Sequence, residues 1–157
     1  MRRVLLSLVI LGWLVSCAPA PATPPAASAV AAAAAPSAYL DNTGRSDVLA
    51  GGVRMLPIKT PKGEFHVWTK RVGNNPKIKV LLLHGGPGCT HEYMECFDSF
   101  FPGSNIEYYH YDQLGSWYSD QPKDSSLWDL PRFVEEVEQV RQALHLDHDN
   151  FYLVGQS

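Results

Sequence analysis

From Gly51 onward, apolar and polar residues fall into short blocks, each with the period of one element. Val53, Met55, Pro57 and Ile58, then Phe65, Val67 and Trp68, flank Pro61-Lys62-Gly63 as two roughly alternating runs, which predicts an antiparallel hairpin. Asn74-Asn75-Pro76 closes it. Ile78 to Leu83 is an apolar strand that needs cover on both faces, as inside a parallel sheet. It empties into His84-Gly85-Gly86-Pro87-Gly88, a turn that leaves backbone amides exposed. His91 to Phe101 places Tyr93, Met94, Phe97, Phe100 and Phe101 at near-helical spacing, and Pro102-Gly103 stops it. Ile106 to Tyr111 is the next strand, followed by a polar loop from Asp112 to Ser126. Asp129 caps a second helix with Pro131 in its first turn, where Phe133, Val137, Val140 and Leu144 recur at spacings of four, three and four. Asn150 to Val154 is the last strand, ending in Gly155-Gln156-Ser157. A hairpin followed by strand, helix, strand, helix, strand is an α/β organisation with right-handed crossovers.

Upstream of Gly51 this patterning is missing. Met1-Arg2-Arg3 is basic, and Val4 to Val15 is an apolar run of 12 residues, shorter than the roughly 20 that cross a bilayer as a helix, so residues 1–16 read as an export signal. Leu14-Val15-Ser16-Cys17 resembles the lipobox of bacterial lipoproteins. That resemblance implies cleavage before Cys17, lipid on Cys17, and an anchor in the cell envelope, at the outer membrane of a Gram-negative cell because Ala18 follows the cysteine. An ordinary secretory signal cleaved near Ala18-x-Ala20 is the alternative. Residues 17–38, almost all Ala and Pro, form a tether, and residues 39–157 are the folded part, with an irregular lead-in from Tyr39 to Ala50.

The formal charge of −3 comes from 13 basic and 16 acidic side chains and becomes more negative once Arg2 and Arg3 are removed. No basic stripe remains to neutralise phosphates, which argues against nucleic acid as a partner. Cys89 and Cys96 are seven residues apart, too far for a disulfide if both lie on one helix, and read as half-buried thiols. With no His-x-x-x-His or Cys-x-x-Cys pair, neither a metal nor another cofactor is expected.

Acyl transfer needs an activated oxygen nucleophile, a base for its proton, and donors aimed at the oxyanion of the tetrahedral intermediate. Gly155-Gln156-Ser157 looks like the first half of Gly-x-Ser-x-Gly, which presents Ser157 at a sharp strand-to-helix turn, with Gly155 letting neighbouring backbone pass closely. The Gly85-Gly86 turn, one strand away, can aim N–H groups at the same spot. Gly-x-Ser alone is weak; the glycine loop after one apolar strand and Gly-x-Ser after a later one make a stronger pattern together. None of His66, His84, His91, His110, His145 and His148 has an aspartate at a triad-like position, so all six read as structural, His84 bonding within its own turn.

His84-Gly85-Gly86-Pro87-Gly88, Tyr111-Asp112-Gln113-Leu114-Gly115-Ser116 with Ser119-Asp120, and Gly155-Gln156-Ser157 together resemble the proline iminopeptidase (prolyl aminopeptidase) family of α/β-hydrolases, over about Leu49 to Ser157. The resemblance implies the N-terminal part of an α/β-hydrolase sheet and a serine peptidase that removes an N-terminal residue, often proline, from short peptides. It makes Ser157 the nucleophile, Gly86 N–H the oxyanion donor, Gly85 part of that loop, and Asp112 to Ser116 a bracing loop. The acid and histidine of the triad follow the serine in such enzymes. The 157 residues alone are therefore expected to be inactive and, with Phe151 to Val154 exposed as a sheet edge, poorly soluble. Two other readings stand beside this one: another α/β-hydrolase such as an esterase, or a non-enzymatic truncated surface lipoprotein. The epoxide hydrolase and dehalogenase branches need a carboxylate where Ser157 stands.

Overall fold

The computed structural model describes residues 37–157. The expected leader, the lipidation at Cys17 and nearly all of the tether lie outside the described residues.

Five strands form one sheet in the order β1-β2-β4-β3-β5. β1 (Val53–Thr60) and β2 (Gly63–Val72) pair antiparallel around Pro61-Lys62, with Thr60 opposite Gly63. β2 is also antiparallel to β4 (Glu107–Tyr111), whereas β3 (Lys79–Leu83) runs parallel to β4 on one side and to β5 (Phe151–Gly155) on the other. The hairpin and the parallel strands follow the patterning, and β3 lies inside the sheet as its apolar run requires.

Alternation along the strands divides the core between the two faces of the sheet. Leu81, Tyr109 and Tyr111 point to one face and pack with Leu56, Ile58 and Val67 of the hairpin and with Val140 and Leu144 at the end of α2 (Leu130–Ala143). Val80, Leu82 and Tyr108 point to the other, against Met94. Asp129 caps α2 by accepting from the Arg132 N–H at 2.8 Å, a contact of about 1 kcal/mol. Arg132 and Glu136 also lie buried on the inner side of α2, where they pair with each other. Glu136 further accepts from the Leu114 N–H at 2.9 Å and from the Tyr111 hydroxyl, so this carboxylate ties the helix to β4 and its loop.

The helix expected over His91–Phe101 is a tighter one, a 3₁₀ segment at His91–Ser99 and another at Pro102–Ser104. Its inward positions are His91, Met94 and partly Phe97, a spacing of three that suits three residues per turn better than 3.6. The same spacing leaves Cys96 on the outside, and Cys89 sits in the preceding turn. Both thiols are exposed and free rather than half-buried.

The lead-in is also more ordered than expected. A single helical turn, α1 (Ser37–Leu40), precedes a 3₁₀ turn at Val48–Ala50. Between them Asp47 receives the Arg71 guanidinium at 3.0 and 2.8 Å in a buried pair, and the Tyr39 ring lies against Gly73. Arg45 reaches the fully buried Glu107, which also accepts from the Asn75 N–H at 2.8 Å. These contacts fasten the lead-in to β2 and β4.

Candidate active site

The chain leaves β3 through the 3₁₀ segment on one face of the sheet and leaves β4 through α2 on the other. The strand order therefore reverses at β3, and in open α/β sheets the crevice outside the carboxyl ends at such a point is where ligands bind. Here it is flanked by the glycine loop after β3 and by Gln156-Ser157 after β5. Leu83 stands opposite Gly155, and the Gln156 N–H donates to the Leu83 carbonyl at 3.2 Å.

Gly85, Gly86, Pro87 and Ser157 line one cavity of about 350 Å³, together with His84, Gln113 and an apolar wall of Leu83, Phe133, Val134, Val137 and Leu153. Gly85 packs directly on the turn of Ser157. A Cβ added there would meet the Gln156 carbonyl oxygen at 2.6 Å and Ser157 Cβ at 2.8 Å. Gly86 has φ +121°, where side chains are strained, and a Cβ there would meet Gly88 N at 2.8 Å. The Gly86–Pro87 peptide is cis. Ser157 itself has φ +75°, a left-handed value that costs a non-glycine residue and is found where a sharp turn thrusts a side chain outward. At Gly155 a Cβ would meet nothing within 4 Å among the described residues, and the close backbone passage seen among them is at Gly85.

The amides of the loop are not equivalent. The Gly85 N–H donates to the Tyr93 hydroxyl, while the Gly86 N–H donates to no group among the described residues. Among the described residues the Gly86 amide is thus the donor of this loop left open to an incoming acceptor. His84 secures the loop from below: its Nε2 accepts from the Gln113 N–H at 3.0 Å, which leaves the proton on Nδ1 to donate to the Gly85 carbonyl at 2.9 Å. The Gln113 side-chain amide returns a bond to the His84 carbonyl at 3.0 Å. His84 therefore bonds within its turn, as expected, and across to the loop after β4.

That loop is braced in turn. Asp112, fully buried, accepts from the His91 N–H at 2.9 Å and from the Tyr118 N–H at 3.4 Å, and pairs with His91 Nδ1 at 2.9 Å. Ser119 Oγ donates to the Asp112 carbonyl at 2.6 Å and accepts from the Trp68 N–H at 2.8 Å. Burial and then the Glu136 carboxylate hold the Tyr111 phenol well above its usual pKa, so it serves as a neutral donor.

Four histidines have aspartate partners, and none of the four lines the Ser157 cavity. His91 does have a carboxylate partner, Asp112, because the end of β4 comes beside the start of the 3₁₀ segment. The pair does not line the Ser157 cavity, and His91 stacks on Trp68 with ring centroids 4.3 Å apart. His84 is the histidine in that cavity, and its Nε2 is engaged by Gln113. His110 pairs with Asp98 and His66 with Asp120, both elsewhere. Among the described residues one group gathers metal-type ligands, Asp147, His148 and Asp149. All three are exposed, and they precede β5, at the end of the strand opposite Ser157.

Patterning placed Tyr93 among the apolar positions of a helix, and no local signal marks its bond to the Gly85 amide, which arises from the fold. The Arg132–Glu136 pair was legible only as an i, i+4 spacing of opposite charges.

A family model described as the alpha/beta hydrolase fold matches residues 79–157. The chain is 71% identical over 103 residues to the proline iminopeptidase of Flavobacterium johnsoniae, which covers 66% of this chain and 35% of that protein. It is 67% identical over 103 residues to the proline iminopeptidase of Elizabethkingia meningoseptica, with the same coverage. The chain thus spans about a third of the length of these curated relatives. Among solved structures, the proline iminopeptidase of Mycobacterium smegmatis matches with a TM-score of 0.57 at 24% identity, over 66% of this chain and 35% of that one. A proline iminopeptidase-related protein from Thermus thermophilus matches with a TM-score of 0.55 at 21% identity, over 66% and 36%. At these identities the structural matches speak for the fold.

Proposed function

Since the chain belongs to the alpha/beta hydrolase fold family, we propose that it carries the nucleophile and half of the oxyanion hole of a serine hydrolase that removes N-terminal residues, proline by preference, from short peptides. Ser157 Oγ attacks the carbonyl carbon of the N-terminal residue and passes its proton to a base, giving a tetrahedral intermediate whose oxyanion accepts from the Gly86 N–H. Collapse of the intermediate expels the amine of the shortened peptide, which takes up that proton, and water then releases the acyl group from Ser157. In this fold the base and its acid follow the serine in chain order, so they belong to the length of the relatives that the chain does not span. One observation carries the reading: Ser157 and the Gly85–Gly86 loop share one cavity, with Gly85 packed on the serine's own turn and the Gly86 amide left free among the described residues. The names of the most similar curated relatives support the peptide substrate.

The test is turnover of a prolyl arylamide by the product of the whole open reading frame. Saturable release of arylamine, lost in Ser157→Ala, is expected; undiminished turnover in Ser157→Ala contradicts the proposal.

For location, the basic start, the 12-residue apolar run and Leu14-Val15-Ser16-Cys17 support an exported protein held to the envelope through lipid on Cys17. Mass spectrometry of the mature N-terminus tests it. Diacylglyceryl cysteine at position 17 is expected, and an unmodified terminus beyond Cys17 rejects the anchor.

A further inference from the structure

The amide of Gly85 is held by a residue that no sequence motif marks. It donates to the phenolic oxygen of Tyr93, in the 3₁₀ segment that follows the loop. The opposite side of Gly85, where a Cβ would stand, faces the Gln156 carbonyl oxygen and Ser157 Cβ. This residue is therefore clamped between the 3₁₀ segment and the turn of Ser157, and its carbonyl is taken by His84. Every polar group of Gly85 is occupied, and the next amide along, that of Gly86, is free among the described residues. Packing does not account for a tyrosine here. Tyr93 is 43% exposed and lies off the inward line of His91, Met94 and Phe97. A phenylalanine would cover the same surface but could not accept the Gly85 proton.

We propose that Tyr93 is a positioning residue for the oxyanion loop: by accepting the Gly85 N–H it fixes the His84–Gly85 peptide, and with His84 holding the Gly85 carbonyl this sets the following peptide so that Gly86 alone presents its amide beside Ser157. This rests on the acyl-transfer reading of Ser157. Tyr93 reaches the reaction only through Gly85. Its effect is preorganisation, since a donor already aimed at the developing charge needs no reorientation in the transition state.

Tyr93→Phe in the product of the whole open reading frame tests it by amide hydrogen exchange and by kinetics. The Gly85 amide is expected to exchange at least about tenfold faster than in the wild type, with amides of His91–Ser99 changed less than about twofold, because one hydrogen bond is lost and the packing is kept. On a prolyl arylamide kcat is expected to fall about tenfold with KM within about twofold, and affinity for a prolyl boronate, which adds to the serine as a tetrahedral anion, to fall by the same factor. A purely structural tyrosine would lower the melting temperature without separating kcat from KM. Unchanged Gly85 exchange, or unchanged boronate affinity, overturns the proposal. If Tyr93→Phe does not fold, exchange in the wild type decides: a protected Gly85 amide beside a fast Gly86 amide supports the clamp, and a fast Gly85 amide overturns it. Full turnover in Ser157→Ala overturns the acyl-transfer reading and this proposal with it; lost turnover there, with unchanged Gly85 exchange in Tyr93→Phe, overturns the proposal alone.

Discussion

Gly85→Ala is the sharpest test of how the two turns meet. The new methyl would stand 2.6 Å from the Gln156 carbonyl oxygen and 2.8 Å from Ser157 Cβ, whereas ordinary contact begins at 3.4 Å, so the turns must separate by about 0.8 Å. Both opposing atoms belong to the serine's own turn, and neither is the end of a flexible side chain. Displacement of a reacting group by about 1 Å costs about 10²-fold in rate, or about 2.7 kcal/mol of transition-state stabilisation. Overpacking costs the fold a further 1–3 kcal/mol, roughly. The expected result, in the product of the whole open reading frame, is a fall of about 10²-fold in kcat/KM on a prolyl arylamide, carried mainly by kcat, with a modestly lower melting temperature. Gly103→Ala is the control, because a Cβ there meets nothing within 4 Å and the position is away from the loop; it is expected to change stability by less than about 0.5 kcal/mol and leave the rate alone. Wild-type kcat in Gly85→Ala, with Ser157 labelled by a fluorophosphonate at the wild-type rate, would refute the reasoning.

Three further outcomes test the supports of the site. Asp47→Ala strands the buried Arg71 guanidinium and is expected to cost about 3–5 kcal/mol, seen as a melting temperature lower by at least about 10 °C; a loss under about 1 kcal/mol would mean the lead-in is not part of the fold. His84→Leu leaves the Gln113 N–H and the Gly85 carbonyl without partners and should cost about 1–3 kcal/mol in urea unfolding, with no change in the slope on denaturant. His110 is held below its ordinary value of 6.5, first by burial and only partly offset by Asp98, with the His91 and Lys70 charges acting in the same direction as burial. Below about pH 6.5 the unfolded chain binds this proton and the folded chain resists it, so stability falls as pH drops through that value; His110→Gln is expected to flatten the fall in a pH series of unfolding free energies. An unchanged pH dependence in that variant would assign the effect to other groups.

The elements that patterning revealed are those whose burial repeats with the chain's own period. β3 and β4 are apolar or aromatic at successive positions because both faces of the sheet are covered, and α2 announces itself by the spacing of Phe133, Val137 and Val140 and by the Asp129 cap. The segment from His91 misled by a fraction of a residue per turn: Tyr93 and Phe100 counted toward a 3.6 period, but both are exposed, and the inward line runs every third residue. The order in the lead-in was hidden because its stabilising partners, Arg71, Gly73, Asn74 and Glu107, lie 24 to 62 positions away and have no local signature. The burial of Arg132 and Glu136 has no local signature for the same reason, since Glu136, which pairs with Arg132, is tied to Tyr111 of another element. At the site, the glycine loop and Ser157 were legible as motifs because their chemistry dictates local backbone. Tyr93, the Gln113–His84 exchange and the His91–Asp112 pair were not, because each depends on which strand ends the sheet order brings together.

The central claim is that Ser157 is a nucleophile served by the Gly86 amide, and covalent labelling tests it most directly. The product of the whole open reading frame is treated with an aryl fluorophosphonate, digested and mapped by mass spectrometry, with and without a prolyl boronate as competitor. A single adduct on Ser157, blocked by the boronate and absent from Ser157→Ala together with prolyl arylamide turnover, is the predicted result. An adduct on another residue, or turnover that survives Ser157→Ala, contradicts the account.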